Sequence, residues 1–149
     1  MKFLQKELTI FYYSVYILAA LLAVVGYVFH KNGFIITNSV FIDNFKIIVI
    51  LYMLISIPLT LKNFSSKVKK IAQIENENEK FAKYLNISKI RIMLFAIIIH
   101  VGVISFFVLK RADLAKPMFD FLYIAAIGVV ALFFCNPTKN KIENDFFNE

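Results

Sequence analysis

Four runs of apolar residues, at 10–29, 45–61, 90–109 and 118–135, limit what this chain can fold into more than any other feature. A helix needs about 20 mostly apolar residues to cross the hydrocarbon core of a bilayer. The first and third runs meet that length, and the second and fourth borrow a few flanking residues. Backbone groups in lipid must be paired within the spanning segment, which selects helix over open strand. Barrel strands would alternate apolar with polar residues, whereas these runs are apolar throughout. Hydrophobic residues make up 60% of the 149, against about 45–50% in soluble domains. A water-facing globule of this size would leave too much of that surface uncovered. The expected fold class is an all-α membrane protein, a single domain of four transmembrane helices in a compact bundle.

The basic residues set the expected orientation. Twelve of them (Lys2, Lys6, the eight from Lys62 to Arg91, Lys139 and Lys141) flank one end of the runs, and five (Lys31, Lys46, Lys110, Arg111 and Lys116) flank the other. The positive-inside rule then places both termini and the middle loop in the cytoplasm. Lys2, Lys6 and the run after them mimic a signal peptide, but are read here as the first span. Richness in Ile, Lys, Asn and Phe fits an AT-rich microbial genome, so the expected location is a cell membrane, the inner membrane of a bacterium. Tyr12, Tyr13, Tyr27, Phe41, Phe45, Phe119 and Phe134 sit near the span ends; Tyr is the expected interfacial residue there, and Phe is only compatible with that role.

The net charge of +7 points to lipid headgroups rather than nucleic acid, because the cations lie between apolar runs and form no separate basic domain. Anionic headgroups are expected at Lys67, Lys69 and Lys70. These lie in the segment 63–88, which has no Gly or Pro and carries Val68, Ile71, Ala72, Phe81, Ala82 and Leu85 at roughly helical spacing. That spacing predicts an amphipathic helix or helical hairpin at the cytoplasmic surface; a charged helix extending span two fits equally. On the other side, Asn32-Gly33 signals a turn, followed by a short apolar stretch that dips toward the interface.

Two segments resemble each other. Phe41-Ile42-Asp43 precedes the second run as Met118-Phe119-Asp120 begins the fourth, and Pro58 and Pro137 follow at intervals that differ by two residues. This suggests two parallel helical hairpin repeats. Pro58 removes a backbone donor inside the second run and predicts a fixed bend near the helix end.

At 100° per residue, distinct faces line up on three spans: Tyr12, Tyr16, Ala19, Ala23, Gly26 and His30; then Tyr52, Ser56, Thr60 and Asn63; then Asp120, Ile127, Ala131 and Cys135. Small residues let helices approach and hydroxyls bond across them, so these faces are expected to point inward. His100 falls near the middle of the third run, where ionisable groups usually face the interior. With Tyr52, Ser56 and Thr60 it forms a candidate intramembrane polar site. Its imidazole could relay a proton, but a neutral ring donating one hydrogen bond to Tyr52 or a backbone carbonyl is the simpler expectation. His30, Asp43 and Asp120 form a candidate outer-face site, with Asp120 stabilising a helix start or pairing with Lys110, Arg111 or Lys116.

No H-x-x-E, CxxC or HExxH spacing and no Gly-rich phosphate loop occurs, so no metal or cofactor is expected. Asn86-Ile87-Ser88 matches a glycosylation sequon by pattern, on the side where it would not be used. Cys135 is the single cysteine and cannot form an internal disulfide. These features favour a non-enzymatic structural or accessory subunit of a membrane complex, partnered by the bilayer and by a second copy or a larger membrane protein. The alternative is a proton or small-cation transporter component using His100. A lipid-acting enzyme ranks last, because nothing supplies a paired nucleophile and base.

Overall fold

The computed structural model describes residues 1–110 and 119–147; of the sequence features above, Arg111, Lys116 and Met118 lie outside them. Five helices follow in order: α1 (Lys2–Lys31), α2 (Ser39–Ala72), α3 (Glu77–Val108), α4 (Phe119–Phe133) and α5 (Lys139–Phe147). Among the described residues there is no strand, only an isolated parallel bridge between Ile36 and Leu109. At 1.5 Å per residue, α1, α2 and α3 reach about 45–51 Å, beyond the roughly 30 Å of a hydrocarbon core. These three are long and apolar enough to cross a membrane; α4 is apolar but has 15 residues.

Local chemistry sets the helix ends. Asn32 and Gly33 end α1, with Gly33 at φ +80°, where a side chain would be strained. The Asn38 carboxamide accepts the Phe41 N–H at 3.0 Å and starts α2. Asn76 accepts from the Asn78 and Glu79 N–H groups at 3.0 and 3.2 Å, and Glu77 and Glu79 in the first turn of α3 favour the positive end of its dipole. Lys80 closes the turn by donating to the Ala72 carbonyl at 2.8 Å.

Contacts along the helices fix their directions. Glu7, Val15 and His30 of α1 meet Lys89, His100 and Phe107 of α3 in the same order, so these two helices are parallel. Tyr52 meets Leu94 while Phe64 meets Tyr84, so α2 is antiparallel to α3. Gly102 packs on Phe121 and Ala125, and Gly128 on Ile98 and Ile99, so α4 is antiparallel as well. Four helices therefore alternate in direction, with α3 touching each of the other three. The start of α1, the α2–α3 turn, the end of α4 and α5 all fall at one end, which carries most of the lysines.

Leucine, isoleucine and valine dominate the outer surface: Ile17, Ile48 and Ile55 are 62–63% exposed. Ser56, Ser88, Arg91 and Ser105 are buried. Apolar side chains outside and polar ones inside is the distribution expected where lipid covers the surface.

Several expectations take a different physical form. The segment 63–88 forms the end of α2 and the start of α3, separated by residues 73–76. Phe64, Val68 and Ile71 of α2 and Tyr84 and Ser88 of α3 are buried, with the Phe64 and Tyr84 ring centres 6.1 Å apart, and Ala82 is exposed. Pro58 is not near a helix end, because α2 runs on through it to Ala72; the Leu54 carbonyl loses its N–H partner there. Pro137, by contrast, lies between α4 and α5. On α4 the buried face is Phe121, Ile124, Ala125, Gly128, Ala131 and Leu132. Ala131 and Cys135 of the expected stripe point inward, while Asp120 and Ile127 are exposed. The apolar stretch after Gly33 is tied to the end of α3: the Ile36 N–H donates to the Val108 carbonyl at 2.9 Å and Lys110 N–H to the Ile36 carbonyl at 3.0 Å.

Candidate functional site

The four residues of the intramembrane candidate point in two directions. His100 Nε2 lies 3.1 Å from the Val15 carbonyl of α1. A carbonyl only accepts, so Nε2 carries the proton and donates it. Tyr52 on α2 donates to the Leu94 carbonyl at 3.2 Å, on another side of α3. The Ser56 hydroxyl is buried without a partner among the described residues. Thr60 lines a cavity of about 190 Å³ with Asn63, Phe64 and Arg91. Tyr52, Ser56 and Thr60 thus follow the α2–α3 seam, while His100 serves the α1–α3 seam.

The outer candidate is also divided. His30 Nδ1 lies 3.1 Å from the Phe107 carbonyl. Asp120 pairs with Lys46 of α2 at 2.5 Å, rather than with Lys110, and both partners are partly exposed, so the pair contributes no more than about 1 kcal/mol. Asp43 lies on α2, one turn before Lys46. Among the described residues, no three His, Cys, Asp or Glu side chains converge as metal ligands would.

The basic end holds an arrangement that the sequence did not single out. Arg91, one residue into the third apolar run, is 7% exposed. Its guanidinium carbon stands 3.4 Å from the centre of the Phe64 ring. Its Nε has no hydrogen-bond partner, and no carboxylate forms an ion pair with it among the described residues. A desolvated cation–π contact contributes about 2 kcal/mol. Removing a charge from water costs several kcal/mol. The ring alone therefore leaves this cation under-compensated. Only its position beside Ile90 and the aromatic Phe64 on α2 could have hinted at burial, and Arg91 reads at first as one more cytoplasmic cation.

Arg91 borders two further spaces. One of about 470 Å³ is bounded by Leu61, Phe64 and Lys69 of α2, Phe134 after α4, and Lys141 and Asp145 of α5. A small one of about 10 Å³ lies toward Leu8, Ser88 and Cys135. The α5 helix closes this end: Ile142 and Phe146, one turn apart, are 1% and 6% exposed. Phe146 packs on Tyr84 and Phe81 with ring centres 4.8 and 5.5 Å apart. Lys141 donates to the Phe134 carbonyl at the end of α4. Burial pushes the Lys141 ammonium below the usual lysine range, and Arg91 adds to the effect.

The Tyr84 hydroxyl donates to Asp145 at 2.6 Å. Burial and then that bond push its ionisation well above the ordinary value. A raised tyrosine stabilises the fold fully below its unfolded pKa, near 10, and the contribution is lost as pH rises beyond that. The stability difference between wild type and Tyr84→Phe is therefore expected to hold at about 1–3 kcal/mol up to pH near 10 and to shrink above it. Unfolding in mild detergent at stepped pH checks this; a difference that stays level at high pH would contradict it.

Comparison with protein families, curated proteins and solved structures found no match.

Proposed function

We infer that the chain is a multi-pass membrane protein whose four helices α1–α4 each cross the bilayer, with both termini cytoplasmic, and that it acts as an interaction or accessory subunit rather than an enzyme. Support for the fourth crossing comes from α4: its start lies beside Lys46 and Phe106, and the chain after it lies beside Arg91 and Leu8 at the other end. Its helix of 15 residues crosses where the bilayer thins locally to match it. Orientation rests on the basic residues gathered at the α5 end. Lys67, Lys69 and Lys70 there face the headgroups of the cytoplasmic leaflet.

One observation carries the accessory reading: His100, Tyr52 and His30 each reach a main-chain carbonyl of a neighbouring helix. Side chains engaged this way join α1, α2 and α3 and leave the broad apolar flanks of α1 and α2 for a partner or lipid. Photocrosslinking from Ile17 and Ile55, both exposed, is expected to give a defined protein adduct in native membranes; adducts with lipid alone would overturn the reading. Under the competing transporter reading, proton flux into proteoliposomes would depend on His100. His100→Ala is expected to leave flux at the wild-type level, and abolished flux would favour the transporter.

A further inference from the structure

We propose that the space between α2, α3 and α5 is a binding site for the phosphate of an anionic phospholipid, with Arg91 as its buried cation. Arg91 is more than nine-tenths buried, its Nε is unpartnered, and the residue borders the cavity. Lys69, exposed on α2, and Lys141, half-buried on α5, border the same space. Asp145 also borders it, but one of its oxygens already accepts the Tyr84 hydroxyl. Three cations against one carboxylate leave the lining net positive, and charge-assisted bonds from a guanidinium suit a phosphate.

The rest of the lining says which phosphate. Leu61, Phe64, Val68 and Phe134 share the cavity with the cations. A free phosphate has no use for these side chains, whereas a phospholipid carries acyl chains beside its charge. The site also lies where the apolar runs give way to the lysine-rich hairpin, the depth at which headgroups sit. This deepens the membrane reading above and rests on it. Surface lysines alone would attract any anionic leaflet; the buried arginine selects one lipid and holds it.

The test reconstitutes the full chain in nanodiscs of phosphatidylcholine or of phosphatidylcholine mixed equally with phosphatidylglycerol, then counts retained lipid by native mass spectrometry. Wild type is expected to keep one phosphatidylglycerol, preferred over phosphatidylcholine on the order of tenfold. Arg91→Gln is expected to lose that preference, Lys141→Gln to weaken it, and Lys83→Gln, exposed on α3 and outside this cavity, to keep it. Should Arg91→Gln not fold, Lys141→Gln carries the comparison. Equal retention of both lipids, or a preference unchanged in the folded variants of Arg91 and Lys141, would overturn the site while leaving the membrane reading intact. Inorganic phosphate raising the unfolding midpoint in phosphatidylcholine as much as phosphatidylglycerol does would assign the cavity to a soluble anion instead. A chain that does not co-float with either kind of vesicle would refute the membrane reading, and the lipid site with it.

Discussion

Gly102→Val is expected to separate α3 from α4 and to cost a large part of the stability of the bundle. A Cβ at Gly102 would stand 2.7 Å from the Phe121 carbonyl oxygen and 2.8 Å from the Ala125 nitrogen. Both are backbone atoms of α4, so no side chain can turn aside, and the helices have to move apart along the seam where Phe95, Ile98 and Phe121 are fully enclosed. Overpacking costs about 1–3 kcal/mol when neighbours can adjust and more when they cannot. A cost at or above about 3 kcal/mol lowers the unfolding midpoint by on the order of 10 °C in a chain of this length. Gly26→Ala is the informative control, because the three atoms nearest its new Cβ all belong to the Phe107 side chain, at 2.9–3.2 Å, and none is backbone. The ring can rotate although the Phe107 Cβ, at 3.0 Å, stays with its backbone, so this change is expected to be milder. Thermal unfolding in one detergent compares the two; equal midpoints would show that the close approach of α3 and α4 is not what holds the bundle.

Phe146→Ala is expected to release α5 from the basic end. The ring is 6% exposed, lies between Tyr84 and Phe81, and has the Lys80 ammonium 5.4 Å from its centre. Phe→Ala changes at such sites cost about 3–5 kcal/mol, more than a nine-residue helix held mainly by Ile142 and Phe146 can absorb. The four longer helices should persist, since their seams lie elsewhere. Limited trypsin digestion is therefore expected to cut rapidly after Lys139 and Lys141 while the remainder resists. Slow cleavage at both sites in the variant would mean that α5 is held by other contacts.

The helical class was legible because long apolar runs leave the backbone one economical way to pair its groups in lipid, and each of the four runs falls largely within one of the helices α1 to α4. The inward faces were harder to read. In water, burial selects apolar residues and marks the core face; in lipid, Ile127 outside and Ile124 inside are chemically alike. Small and polar residues give the remaining signal, and it served for Tyr12 and Gly26, which are buried on α1. On α4 it was misled by Asp120, whose carboxylate reaches Lys46 across the surface. His100 bonded to a main-chain carbonyl is the simpler of the two arrangements expected for it. Arg91 and α5 were missed for a common reason. The tail is polar on average, and only Ile142 and Phe146, one turn apart, reveal a face; nothing local says that Tyr84, 58–62 residues earlier in the chain, will receive it.

Four crossings with cytoplasmic termini demand a specific pattern of accessibility, and single cysteines measure it. In a Cys135→Ala background, Lys2→Cys, Asn32→Cys, Glu75→Cys and Asn140→Cys are treated in intact cells with a membrane-impermeant maleimide. Only the cysteine at position 32 is expected to react before permeabilisation, and the other three only afterwards. Positions 75 and 140 reacting from opposite sides would mean that α4 does not cross, and labelling of all four in intact cells would contradict membrane insertion itself.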